Sequence, residues 1–217
     1  ADSLVEPDAL SEMVRCFADA SVAAATAAMS VHRPKNVLQH MQNAEYMFGI
    51  TFRHAFSAVN GLYVTPGPFS FYRRSVIDEL GGFRYGHQTE DMEMALRIQQ
   101  TGSYKILNAP RARVYTKAPE TLLKLIKQRM RWTSGFLRNI FGEYRGIIGS
   151  RRHGVLGMLV LPSALLSIGS SIMLFSLVLF KLTRHASAAI EIRTGIPLSY
   201  AITPHGSFDW FYFPASV

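Results

Sequence analysis

One run, Gly154 to Phe180, contains no charged side chain, and it limits what this chain can become more than any other feature. As a helix it would reach roughly 40 Å, whereas a bilayer core needs only about 20 residues. The soluble alternative is a buried core hairpin. Against it stand Pro162 and the run Gly169-Ser170-Ser171, which sit poorly in a soluble helix and are tolerated inside membranes. The expectation is a transmembrane helix over 153–181. Arg145, Arg151 and Arg152 precede the run and Lys181 and Arg184 follow it, an asymmetry that places the N-terminal side in the cytoplasm. The formal net charge of +8 suits anionic partners: nucleotides, nucleic acid or an acidic membrane surface. Cys16 stands alone, which excludes an internal disulfide and fits a reducing compartment. The opening Ala1-Asp2-Ser3 and the apolar close at Phe211-Tyr212-Phe213-Pro214 read as cuts through a longer protein, with 182–217 a loop leading to a further membrane segment.

Upstream of that run, strand and helix patterns alternate. Pro7 opens a helix with Leu10, Met13, Val14 and Phe17 at helical spacing, and Val22 to Val31 reads as a buried strand of small residues. A helix from Asn36 to Ala55 is expected to bury Val37, Met41, Ala44, Met47 and Phe48. Short strands are expected at Leu62-Tyr63-Val64 and Phe69 to Tyr72, with a stiff Thr65-Pro66-Gly67-Pro68 loop between them. A brief helix from Ser75 ends at Gly81-Gly82, a glycine cap. A further helix runs from the Thr89-Glu90-Asp91 cluster to Gly102. Tyr104 to Leu107 and Ala112 to Tyr115 are expected as strands flanking a turn at Asn108-Ala109-Pro110. Pro119-Glu120 begins a long basic amphipathic helix through about Phe141, of the kind that lies on a membrane interface. The mixture predicts an α/β layered domain.

Two clusters carry candidate chemistry. Thr89-Glu90-Asp91 sets adjacent carboxylates at a helix start, where the helix dipole stabilises them and a Thr or Asp is a common cap. That structural role suffices for the cluster taken alone. Its company changes the reading: Pro66-Gly67-Pro68 and Gly81-Gly82-Phe83 precede it, and Gln128-x-x-Arg131-Trp132 follows on the basic helix just before the apolar run. Arg73 and Arg74 suit phosphate, but a solvated face is the commoner role of paired arginines. His32, His40, His54 and His87 lack metal-ligand spacing.

In that order and spacing, residues 1 to about 180 resemble the processive family-2 glycosyltransferases, the membrane synthases of cellulose, chitin, hyaluronan and poly-N-acetylglucosamine. The resemblance implies a partial GT-A type nucleotide-sugar transferase domain over 1–118, an interfacial amphipathic helix region over 119–152, the membrane helix over 153–181 and the loop over 182–217. It implies inverting transfer from a UDP-sugar to a polysaccharide acceptor at a lipid bilayer, in an integral protein of the plasma or cell membrane with its catalytic part cytoplasmic. Asp91 matches the general base and Glu90 a supporting neighbour. Gln128 and Arg131 match residues that hold the diphosphate, for which a guanidinium's forked donors are suited. Trp132 matches the residue stacked under the acceptor sugar, and Gly67 a loop glycine that lets backbone approach the acceptor. Asp2 matches the second half of an Asp-x-Asp metal site for Mg²⁺ or Mn²⁺. The first Asp and the uridine-binding half would then precede residue 1, leaving the isolated fragment inactive.

Two further readings stand beside this one. A non-processive family-2 enzyme would move one sugar to a lipid or short saccharide. A basic membrane-anchored module would bind anions, although no nucleic-acid fold pattern is present and nucleic acid is not the expected partner. The pattern Gln42-x-x-Glu45-Tyr46 resembles chitin and hyaluronan synthases more than cellulose synthases, and that resemblance implies an N-acetylhexosamine donor.

Overall fold

The computed structural model describes residues 3–84 and 89–194, with side chains of the last helix described through Ala186. Asp2, His87 and Gln88 therefore lie outside the described residues, as does the stretch 195–217. The chain divides into two compact units, Ala1–Ala164 and Leu165–Val217.

The first unit is a four-stranded sheet, ordered β1-β4-β2-β3, with helices on its two faces. Strands β2 (Val22–Val31) and β4 (Lys105–Thr116) pair in parallel at the centre; β1 (Ser3–Val5) and β3 (Ser70–Tyr72) pair antiparallel at the edges. Every β2 residue except Ser30 is buried. A strand covered on both faces loses the in-out alternation and reads as one apolar run, and its alanines let helices approach closely. On one face Ala23, Ala24 and Ile106 meet Leu62, Val76 of α3 (Arg74–Glu79) and Met94, Ala95 and Ile98 of α4 (Glu90–Thr101). On the other, Ala25, Ala27, Ala109, Ala112 and Val114 meet Ala9 and Met13 of α1 (Ala9–Arg15). Leu10 and Val14, expected on α1's buried face, are exposed.

Three other expectations are corrected. The turn at Asn108-Ala109-Pro110 is no turn: β4 is continuous, and its register against β2 jumps from Ala27↔Ala109 to Ala28↔Arg113. Pro110, Arg111 and Ala112 fall in that irregularity, where a residue without an N–H costs no ladder bond. Leu62-Tyr63-Val64 joins no strand ladder; Gln99 Nε2 donates to the Leu62 carbonyl at 2.8 Å and holds the segment instead. The third correction concerns α2 (Val37–Ala58), whose sides are reversed. Val37, Met41, Met47 and Phe48 are exposed, whereas Gln39, Gln42 and Tyr46 are buried. Gln39 Nε2 donates to the Ala118 carbonyl at 3.1 Å and Gln42 Nε2 to that of Pro119 at 2.9 Å. Those polar side chains satisfy the backbone of the connection that follows β4, so the polar side of α2 is the one turned inward.

The helix end read at Gly102 holds, whereas the caps at Asn36 and Thr121 come from the structure, the latter in place of a start at Pro119-Glu120. Asn36 caps α2 by accepting from Gln39 N–H at 2.9 Å. Gly102, at φ 71°, ends α4 in a left-handed conformation that costs glycine little. Helix α5 (Leu122–Phe141) is capped by Thr121. After it, a π-helical turn over Leu156–Val160 leads into α6 (Leu161–Thr194), so helix continues past Arg184, where a loop was expected. The stretch Leu156–Ala186, 31 residues, is long and apolar enough to cross a membrane.

Candidate active site

Asp91 sits in the first turn of α4, between the Thr65-Pro66-Gly67-Pro68 loop and the N-terminal end of its own helix. Its Oδ1 accepts from Met92 N–H at 2.8 Å, and the Gly67 N–H also reaches the carboxylate. Thr65 Oγ1 donates to the Asp91 carbonyl at 3.1 Å and is bonded at 2.7 Å to Tyr72 Oη. The loop and the helix start are thereby stitched together. No cation pairs with Asp91 among the described residues. Burial raises its carboxyl above the ordinary value and the Glu90 charge raises it further, against the lowering pull of the backbone N–H donors. Tyr72 is pushed up to about 12, by burial first and also by the Asp91 and Glu90 charges. Glu90 itself is exposed. A Cβ placed on Gly67 meets nothing within 4 Å, so the loop backbone faces open space beside the carboxylate.

The second cluster lies on α5, which packs on the start of α4. Thr89, immediately before α4, is buried against Gly135, and Asn139 Nδ2 donates to its Oγ1 at 3.2 Å. Tyr63 also meets Phe136 of α5, their rings 5.5 Å apart. The two motifs therefore stand on helices in direct contact. Gln128 keeps a buried Oε1 without a hydrogen-bond partner, an orphan that invites a donor. Arg131 is exposed and forms no ion pair among the described residues, so its guanidinium is free to meet phosphate. Trp132 is half-buried, and Arg129 lies over its ring at 4.8 Å from the centroid. Arg129 is bound in turn by both oxygens of Glu45, at 2.5 and 2.7 Å. One face of Trp132 is thus occupied by a cation rather than open to a sugar.

That chain of contacts explains Gln42-x-x-Glu45-Tyr46 in structural terms: Gln42 docks on Pro119, Glu45 orients Arg129, and Tyr46 is buried. Arg73 is likewise spoken for, donating to the carbonyls of Val22, Phe17 and Asp19 at 2.9 to 3.0 Å. Arg74 is exposed and, among the described residues, pairs with Asp78.

Sequence reading missed the residue that organises this region. Glu93, fully buried on α4, accepts from Arg97 Nε at 3.0 Å and Nη2 at 2.5 Å, and from Tyr144 Oη at 2.5 Å. Arg84 approaches it at 3.4 Å and also pairs with Glu143. Arg97 donates further to the carbonyls of Leu80 and Gly82 at 2.7 and 3.0 Å, fixing the glycine turn. The one local signal was the Glu93/Arg97 spacing of four on a helix. Among the described residues no group of three or more His, Cys, Asp or Glu side chains could hold a metal ion, and Asp2, the expected ligand, lies outside them.

Similarity to known proteins agrees with this geometry. The family model described as glycosyl transferase family group 2 matches residues 1–213. Poly-beta-1,6-N-acetyl-D-glucosamine synthase of Staphylococcus aureus (strain COL) is 28% identical over 151 residues, covering 67% of this chain and 36% of that protein. The synthase of the same name from Staphylococcus epidermidis is 26% identical over 137 residues, covering 62% of this chain and 33% of that protein. The chain thus spans about a third of the length of these curated relatives. A mannosyltransferase from Pyrobaculum calidifontis, solved with GDP-Man and Mn²⁺, matches with a TM-score of 0.50 at 18% identity over 86% of this chain and 52% of that one, a likeness of fold alone. On the match across nearly its whole length, the chain belongs to glycosyl transferase family group 2.

Proposed function

We propose that the full-length protein transfers a sugar from a UDP-sugar to a growing polysaccharide at a membrane, with inversion at the anomeric carbon and Asp91 as general base. In this reading the acceptor hydroxyl gives its proton to the Asp91 carboxylate as its oxygen attacks the anomeric carbon. The bond from that carbon to the diphosphate breaks, and its electron pair leaves on the nucleotide. One observation carries the proposal: Asp91 is a half-buried carboxylate of raised basicity with no counter-cation among the described residues, beside open space at Gly67. Arg131 would meet the departing diphosphate with forked donors, and Gln128 would align it through its amide. Trp132 offers its remaining face to the acceptor, with Gly67 and Glu90 near the attacking hydroxyl.

A divalent ion, Mg²⁺ or Mn²⁺, held in part by Asp2, would screen the diphosphate charge when bound. The Mn²⁺ of the mannosyltransferase supports that choice of metal. For the membrane, α6 supplies a span, and α5 exposes Leu122, Leu123, Ile126 and Met130 along its length as an interfacial helix would. The protein is then an integral membrane protein with its catalytic part cytoplasmic. The similarity to two poly-N-acetylglucosamine synthases favours UDP-N-acetylglucosamine over UDP-glucose as donor.

The Arg129 cover on Trp132 favours a second reading, in which a single sugar is moved to a lipid or short saccharide because the acceptor platform is half closed. Membranes holding the full-length protein, offered UDP-N-acetylglucosamine or UDP-glucose with Mg²⁺ or Mn²⁺, decide between them. Long products with UDP release, lost in Asp91→Asn, support the first reading. Single-addition products support the second, and no turnover with any UDP-sugar overturns both.

A further inference from the structure

Thr89 occupies the cap position of α4 and caps nothing: its hydroxyl bonds no α4 backbone N–H. It is 4% exposed and points into α5. Among the described glycines, Gly135 meets the closest neighbour there. An ideal Cβ on it would lie 2.5 Å from Thr89 Oγ1, 3.0 Å from Cβ and nearer still to Cγ2, a crowding no real side chain tolerates. One turn further on, Asn139 donates to Oγ1 and closes the far side of the seat.

The seat shares a side of α5 with the motif. Gln128, Arg131, Gly135 and Asn139 are spaced by three or four residues, which places them on one stripe of a helix. Asp91 lies in the first turn of α4, immediately beyond Thr89. Fixing Thr89 on this stripe therefore fixes the carboxylate relative to Gln128 and Arg131. The Glu93–Tyr144 bond holds the same turn of α4 from its other end.

We infer that Gly135 and Asn139 are positioning residues, which form a seat for Thr89 and thereby set Asp91 against the diphosphate-binding turn of α5. The inference rests on the reading of Asp91 as base. It is tested by a double-mutant cycle in the full-length protein in membranes: Gly135→Ala, Thr89→Ala and the pair. Displacing reacting groups by ångström amounts costs about 10²-fold at most, so Gly135→Ala is expected to lower kcat at least tenfold with the donor KM unchanged. Thr89→Ala should cost less. The pair should fall close to Thr89→Ala alone, because the methyl and hydroxyl that the Gly135→Ala side chain strikes are gone and only the residue 89 Cβ, at 3.0 Å, still has to give by a few tenths of an ångström. Wild-type kcat in Gly135→Ala, or losses that simply multiply in the pair, would overturn the inference.

If Gly135→Ala does not accumulate, Asn139→Ala decides, since it adds no atom. Lowered kcat together with an acid limb of the pH profile moved to lower pH, as Asp91 gains water, supports the seat. An unchanged kcat and profile overturn it. Asp91→Asn run in parallel separates the two claims: full turnover there sinks the base assignment whatever the cycle shows.

Discussion

Of the three carboxylates in the first turn of α4, Glu93 and Asp91 live in opposite conditions. Glu93 is sealed in, with Arg97, Arg84 and Tyr144 around it and no room for a ligand. Asp91 is half-buried, is met by backbone N–H groups alone and has no counter-cation among the described residues. The first is spent on architecture, since a saturated carboxylate has nothing left to offer a substrate. The second is left costly and available. A functional carboxylate is recognised by what it lacks, and its buried neighbour shows what completion looks like.

The sharpest way to break that comparison is to neutralise Asp91. General base catalysis contributes typically 10²–10⁴-fold, so Asp91→Asn should lower kcat by that range. Next comes Glu93→Ala, which leaves Arg97 and Arg84 without their shared anion. Breaking a buried pair from one side costs about 3–5 kcal/mol, expected as a clear fall in Tm and in the yield of folded full-length protein. Glu93→Gln, which keeps the shape, should be milder.

Much of this division was legible in the sequence where signals are local. Gly81-Gly82 and Gly102 marked helix ends because a glycine stop needs only neighbouring backbone. The alanine-rich run of β2 announced a strand covered on both faces. What stayed hidden depends on distant partners. Glu93 offered only its spacing of four from Arg97, while Tyr144 and Arg84 come to it from outside the helix. Gln39 and Gln42 looked solvent-facing because the carbonyls they serve lie at Ala118 and Pro119. Thr89 read as a cap, and its real partner is a glycine on another helix. The two motifs do meet on packed helices, yet Asp2 lies beyond what the structure describes, and the cation on Trp132, Arg129 three residues before it on the same helix, went unread.

A subtler test uses pH. The carboxyl of Asp91 is raised by burial, so the native state holds its proton more tightly than the unfolded chain does. Stability from this group is then lost as pH rises from the unfolded value through the folded one. The acid limb of kcat/KM should therefore lie above the ordinary carboxylate range in the wild type. Gly67→Ala is expected to leave stability within about 0.5 kcal/mol, as surface changes do, because its Cβ meets no protein atom. It should raise the acceptor KM, which product assays at varied acceptor concentration would show. The smallest effect belongs to Glu45→Gln: a partly exposed pair contributes about 0–1 kcal/mol, so Tm should hardly move. Arg129 would then be freed from its tether over Trp132, and product length should change if that ring meets the acceptor.

The most direct measurement pairs turnover with thermal stability in the same preparation of full-length Asp91→Asn. The division of labour on α4 predicts turnover reduced at least about 100-fold, with Tm equal to or above that of the wild type near neutral pH, since an uncompensated charge has been removed. Turnover close to wild type, or a Tm that falls as it does for Glu93→Ala, would contradict it.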